Sequence, residues 1–243
     1  MENEDVLFQL SNDVFAHYQF AKGEIADKIK GIPILFFGDI KKYSENNIKV
    51  LTIGQNPSRD EFPDSFERFE NFAYFASKST LTKSEFEKYQ QMLQKYFYYN
   101  PYRRWFSQFN WYLEQFSSSY EEGAVHIDLY STLATSPTWG GLTQKEQNIV
   151  SQTTVFEKLF DFLNPDIVLC NFDLGLLANK IKFDSRIEER IQYGKKRLKT
   201  KLLSAGKSGK SLFIGNTSGP SPFAYVTSEN RENFFKKIKQ NFC

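Results

Sequence analysis

Apolar residues in the first thirty positions recur at helical spacing: Val6, Leu10, Val14 and Phe15, then Ile25 and Ile29. That pattern predicts a helix from about Asn3 to Lys30. Four later stretches read differently. Lys49–Ile53, Ala124–Leu129, Asp166–Asn171 and Ser211–Gly215 are short apolar runs bounded by turn residues, and each predicts a buried strand. Helical patterns lie between and after them. Phe66–Gln94 is one, with Thr80 or Thr82 as its N-cap. Tyr96–Phe116 is aromatic and basic, with Trp105, Phe109 and Tyr112 on one helical face. Thr143-Gln144-Lys145-Glu146 has the Thr-to-Glu spacing of a capping box and opens a helix to about Phe162. Further helices are predicted over Leu174–Ile181 and Asn230–Phe242. Ile32–Gly38 suits an edge strand, because Pro33 is poorly tolerated in a central one. Ser204–Lys210 reads as a loop before the fourth strand. Strands alternating with helices predict an α/β fold: one domain over residues 1–243, three layers, a central four-stranded parallel sheet, and an N-terminal helical extension over about 1–47.

Composition narrows the function classes. With 40% apolar residues in 243, one substantial core is the expectation. No apolar run is long enough to span a membrane, and the acidic start Met1-Glu2-Asn3-Glu4-Asp5 is unlike a signal peptide. Cys170 lies within an apolar strand pattern and Cys243 is the last residue, so a disulfide is not expected and a reducing cytoplasm is. Those cysteines with His17 and His126 cannot assemble a thiolate or imidazole zinc site, so no metal is expected. The net charge of +2 is small, but Lys180–Lys210 carries eleven Lys or Arg against Asp184, Glu188 and Glu189. That is a local basic surface of the kind phosphate contacts need, or a solvated face.

Candidate chemistry gathers at the strand ends. The first run passes into Gly54-Gln55-Asn56-Pro57-Ser58, and the fourth into Asn216-Thr217-Ser218-Gly219-Pro220-Ser221. Open α/β sheets bind ligands in the crevice at the carboxyl ends of their strands. Asn56 can orient a water there, although an amide takes a proton poorly. Asn216 can donate to a departing oxyanion. Thr217, Ser218 and the backbone around Gly219 can hold a phosphate. Asp128 ends the second run among Val125, Ile127 and Leu129, a costly place for an ionisable group. Each of these also has a plain reading as a turn or a strand-end hydrogen bond.

The two asparagine turns resemble the two active-site motifs of the uracil-DNA glycosylase superfamily, and the double asparagine is most similar to its mismatch-specific thymine and uracil branch. The resemblance covers about Lys49 to the C-terminus. It implies a metal-independent, cofactor-free DNA glycosylase that hydrolyses the N-glycosidic bond of an extruded base. Asn56 would position water, Asn216 would stabilise the leaving base, and Asp128 would read it. Gln55 and Ser58 would line the base pocket. Phe69 stands where the family stacks a ring on the base, with Phe62, Phe66 and Phe72 as competitors. Pro57, Thr217, Ser218, Gly219, Pro220 and Ser221 would meet DNA, the partner implied, in single- or double-stranded form. A monomer is expected. The superfamily's iron–sulfur branches use four cysteines, which this chain lacks.

Three departures qualify the resemblance. Pro220 stands where the family usually carries a wedge that enters the duplex, leaving Phe223 or Tyr225 as substitutes. Ser58 replaces a bulky Tyr, which should admit 5-substituted pyrimidines. Asp128 replaces a base-reading Asn, and a carboxylate only accepts hydrogen bonds. The base excised is then expected to carry an amino group or a 5-substituent. No Lys sits in the turns as a Schiff-base nucleophile, so strand cleavage is not expected. Two other readings stay open: a catalytically silent member that binds nucleic acid or a protein, and an unrelated enzyme acting on free nucleosides or nucleotides.

Overall fold

The computed structural model describes residues 2–61, 72–98, 103–193, 199–217, 223 and 225–242, and shows an α/β fold built on a mixed six-stranded sheet. Its strands are β1 (Val50–Gly54), β2 (Val125–Asp128), β3 (Ile167–Cys170), β4 (Ser185–Tyr193), β5 (Lys199–Ser208) and β6 (Ser211–Asn216). Their order across the sheet is β2-β1-β3-β6-β5-β4. β2, β1, β3 and β6 are mutually parallel and coincide with the four apolar runs. All their residues are buried, which is why they read as runs and not as alternations.

The expected four-stranded sheet is corrected at its far edge. β4 and β5 form an antiparallel hairpin, and β5 pairs with β6 from Leu203–Asn216 to Ser208–Ser211. The stretch expected as a flexible loop supplies part of β5. Its small residues answer to packing: a Cβ on Gly206 would stand 2.8 Å from the Phe183 ring. Only Gly209, at φ +53°, makes the turn into β6.

The helices are α1 (Glu2–Ile25), α2 (Ile40–Glu45), α3 (Phe72–Ala76), α4 (Lys83–Gln94), α5 (Arg103–Phe106), α6 (Asn110–Gln115), α7 (Gln144–Val150), α8 (Thr153–Leu163) and α9 (Ser228–Phe242). Both capping boxes form, Thr82 with Glu85 and Thr143 with Glu146. The helix expected from Thr143 to Phe162 breaks at Ser151 and Gln152, because the Gln152 carboxamide turns inward to accept the Thr132 N–H at 3.0 Å. Leu174–Leu177 is a 3-10 turn and not the helix expected to Ile181. Ile32–Gly38 is not a strand either. Its backbone is tied by Tyr89, whose hydroxyl accepts from Leu35 N–H and donates to the Pro33 carbonyl, and by a Phe37–His126 bridge.

The N-terminal region is no appendage. Leu7, Leu10, Val14 and Phe15 of α1 and Ile34–Phe37 belong to the main core cluster. On α8, Val155, Phe156, Leu159 and Leu163 form a buried stripe, each side chain worth about 1.5–3 kcal/mol of burial.

Candidate functional site

Register places the strand-end chemistry. Thr52 pairs with His126 and with Leu169, Gly54 with Asp128, and Leu169 with Ile214. Because side chains alternate along a strand, Thr52, Gly54, His126, Asp128, Ile214 and Asn216 share one face of the sheet. Gly54, Asp128 and Asn216 stand at its carboxyl edge. The face is roofed by aromatic rings. His126 lies under Phe37, Trp105 and Phe106, with ring centroids 6.3, 5.3 and 5.0 Å away.

Behind Asp128 runs a chain of polar groups. The Tyr120 hydroxyl donates to Thr52 Oγ1 at 3.0 Å, and Thr52 Oγ1 lies 2.8 Å from His126 Nδ1. His126 Nε2 is 3.7 Å from Asp128 Oδ1. The Thr52 hydroxyl has two acceptors in reach, the Val125 carbonyl at 3.3 Å and His126 Nδ1 at 2.8 Å; donation over the shorter contact sets Nε2–H toward the carboxylate. The other tautomer would set a lone pair against it. Gly54 leaves room for this arrangement, since a Cβ there would stand 2.5 Å from Asp128 Oδ1.

Asn56 has a different task. Its Nδ2 donates to Thr135 Oγ1 at 2.9 Å and to the Pro57 and Leu133 carbonyls at 3.1 and 3.3 Å. Its Oδ1 accepts the Trp139 N–H at 2.9 Å. The amide thus staples the turn after β1 to the loop after β2, and one lone pair of Oδ1 is left over for a water. Pro57 is buried, and its carbonyl also accepts the Thr135 N–H. Gln55 and Ser58 are half-buried; Gln55 accepts Tyr130 N–H through its carbonyl, and Ser58 Oγ caps the Asp60 N–H.

Asn216 is fully buried, and its Nδ2 donates to the Cys170 carbonyl at 3.2 Å. That carbonyl fixes the amide: Nδ2 must face it, so Oδ1 points away, and Oδ1 has no hydrogen-bond partner among the described residues. Where the resemblance implies a donor, the molecule presents an acceptor. Asn171, which sequence reading did not single out, follows β3 and is also buried with its Oδ1 unpartnered. Its signal was visible: Ile167-Val168-Leu169-Cys170-Asn171 ends as Leu212-Phe213-Ile214-Gly215-Asn216 does.

Thr217 continues the β6–β5 pairing, accepting the Leu202 N–H at 2.9 Å through its hydroxyl. Phe223 is not a wedge. It is buried, packed on Tyr112 and Phe109 with centroids 4.2 and 6.0 Å apart. Tyr225 is 61% exposed and stacks on Tyr193 at 4.9 Å. The missed hairpin brings its Tyr193–Lys199 end here, because β5 starts beside the end of β6: Leu203 pairs with Asn216, and Lys201 precedes it by two residues on the same face. Burial pushes the Lys201 ammonium down to about 8. Phe69, Ser218, Gly219, Pro220 and Ser221 lie outside the described residues.

A cavity of about 300 Å³ lies off the expected site, lined by Phe97, Phe106, Asn110, Leu113 and Tyr120, where the chain approaches the start of β2. Among the described residues no group of three or more His, Cys, Asp or Glu could hold a metal ion. No helix among them is long and apolar enough to cross a membrane. No family model matches the chain, and neither a curated protein nor a solved structure matches it.

Proposed function

We propose that the carboxyl edge of the parallel sheet is a nucleobase crevice, and that the protein is a monofunctional DNA glycosylase of the uracil-DNA glycosylase kind. One observation carries this reading. Asp128, Gly54 and Asn216 come from three parallel strands to one face and one edge of the sheet, and at that edge Asn216 Oδ1 and Asn171 Oδ1 are buried with no partner among the described residues. Buried polar atoms are ordinarily paired, and an orphan needs a reason. A base seated there supplies the missing partners. Hydrolysis then needs a water, which the spare lone pair of Asn56 Oδ1 can orient, and a leaving base held against Asp128 and Asn216. The basic hairpin flanking the crevice suits the phosphates of the strand that carries the base.

A second reading is favoured by the Asn56 amide: four hydrogen bonds occupy it, which suits a pocket that binds without cleaving. The two are separated by abasic-site formation on labelled single- and double-stranded oligonucleotides carrying uracil, thymine mismatches, hypoxanthine, 5-modified cytosines or modified adenines. Release that disappears in Asp128→Ala and Asn216→Ala, with both variants folded, supports the glycosylase. Salt-dependent binding with no release across the panel supports the silent pocket. Neither release nor binding defeats both.

A further inference from the structure

Resting on the reading of this crevice as a base site, we infer that it selects a base presenting an exocyclic amino group, of the cytosine or adenine type, over the carbonyl edge of uracil. The inference stands on the polarity of the free atoms. Asp128 is a carboxylate with 4% of its side chain exposed, and it only accepts. Asn216 Oδ1 and Asn171 Oδ1 are buried acceptors without partners among the described residues. For Asn216 the alternative amide orientation is closed, because it would set Oδ1 against the Cys170 carbonyl. The Tyr120–Thr52–His126 chain lies behind Asp128, with His126 Nε2 3.7 Å from Oδ1, and the bare Gly54 backbone lies beneath it. The unpartnered atoms at this edge are therefore acceptors.

Cytosine N4 and adenine N6 carry two N–H donors each, whereas uracil, like thymine, presents an oxygen at that position. An amino group can donate to Asp128. A carbonyl oxygen there would meet an acceptor and leave it unsatisfied, and sites built to bond an N–H reject analogues that lack it strongly. In an intact duplex the same amino group is occupied by its complement. The base presented is thus an unpaired, mispaired or modified one, for which extrusion costs least.

The test is equilibrium binding of the full chain to single-stranded oligonucleotides of one sequence. Each carries, at one position, a non-hydrolysable 2′-fluoro nucleotide bearing cytosine, adenine, uracil or hypoxanthine. Cytosine or adenine is expected to bind at least about tenfold tighter than its carbonyl counterpart. Asp128→Asn is expected to erase or reverse that ratio, because an amide can donate to a carbonyl. Equal affinity for the four bases, tighter binding of uracil or hypoxanthine, or no binding at all overturns the inference. The comparison within the unmodified protein decides the matter even where the variant fails to fold. The readout is also independent of cleavage. An amino preference without abasic sites on the natural nucleotides keeps this inference and defeats the glycosylase; uracil release without the preference does the reverse.

Discussion

The Asp128 carboxylate occupies the space above Gly54, so close that a methyl group on residue 54 would stand 2.5 Å from Asp128 Oδ1. A real Cβ does not reach that distance, and behind the carboxylate stands the buried His126 ring, its Nε2 3.7 Å away. Gly54→Ala is therefore expected to displace Asp128 and to cost about 1–3 kcal/mol by overpacking. Urea denaturation reads the stability, and the base-binding series reads the site. Loss of stability without loss of base preference would separate the glycine's packing role from its place in the crevice.

Asn56 should behave as a structural residue first. Removing its side chain leaves Trp139 N–H unpaired and detaches Thr135 Oγ1. Asn56→Ala is expected to lose about 2–4 kcal/mol, from several bonds worth about 0.5–1.5 kcal/mol each and a stranded half-buried donor. Thermal or urea unfolding checks it. A variant of unchanged stability would mean that the loop after β2 is held by other contacts. Loss of activity in this variant says nothing of catalysis until that stability is known.

The capping box of α4 sets an acid-side prediction. Glu85 is held down to about 2, first by the Lys78 ammonium 2.6 Å away and then by the Thr82 N–H and the Tyr74 hydroxyl. A carboxyl depressed on folding contributes stability in full above its unfolded value, about 4.3, and loses it as pH falls toward the folded value. Between pH 5 and pH 3 the native protein should lose more stability than Glu85→Gln does, since the amide keeps the cap and does not titrate. Parallel acid-unfolding curves for the two would refute it.

For the hairpin side of the crevice, Tyr225 and Lys199 are the residues to change. Tyr225→Ala should weaken single-strand binding about fivefold or more, within the range of one base stacked on an aromatic ring. Lys199→Gln should act evenly across sequences and reduce the salt slope by up to about 0.7, one phosphate contact. Anisotropy titrations at several salt concentrations measure both.

How much was legible in the sequence follows from where each residue's partners lie. The four parallel strands were readable because burial on both faces makes them continuous apolar runs. The capping box of α7 was readable because Thr143 and Glu146 sit within four residues, whereas that of α4 was read only as a choice of N-cap between Thr80 and Thr82. The hairpin was not. β4 alternates Arg186, Ile187, Glu188, Glu189 and Arg190, and β5 is built partly from Ser204, Ala205 and Gly206, so neither looks like a strand until Phe183 and β6 are in place. The role of Asn56 was equally hidden, since Trp139 is 83 residues away. Asn216 was found as a site residue, but its polarity depended on the Cys170 carbonyl, which no motif encodes.

The rims of the sheet have a consequence for behaviour at high concentration. An open strand edge is a template on which other chains can add, and proteins blunt such edges with charge or cover. Here β4 ends the sheet with Arg186, Glu188 and Arg190 along its more exposed face, Arg186 bridging to Glu188 at 2.6 Å and to Asp173 at 3.2 Å. At the opposite rim Phe37 exchanges both backbone hydrogen bonds with His126, each 2.8 Å, so β2 is already occupied where it would recruit a neighbour. Charge guards one border and a borrowed piece of backbone guards the other, so the buried, aggregation-prone strands between them stay out of reach of a second chain.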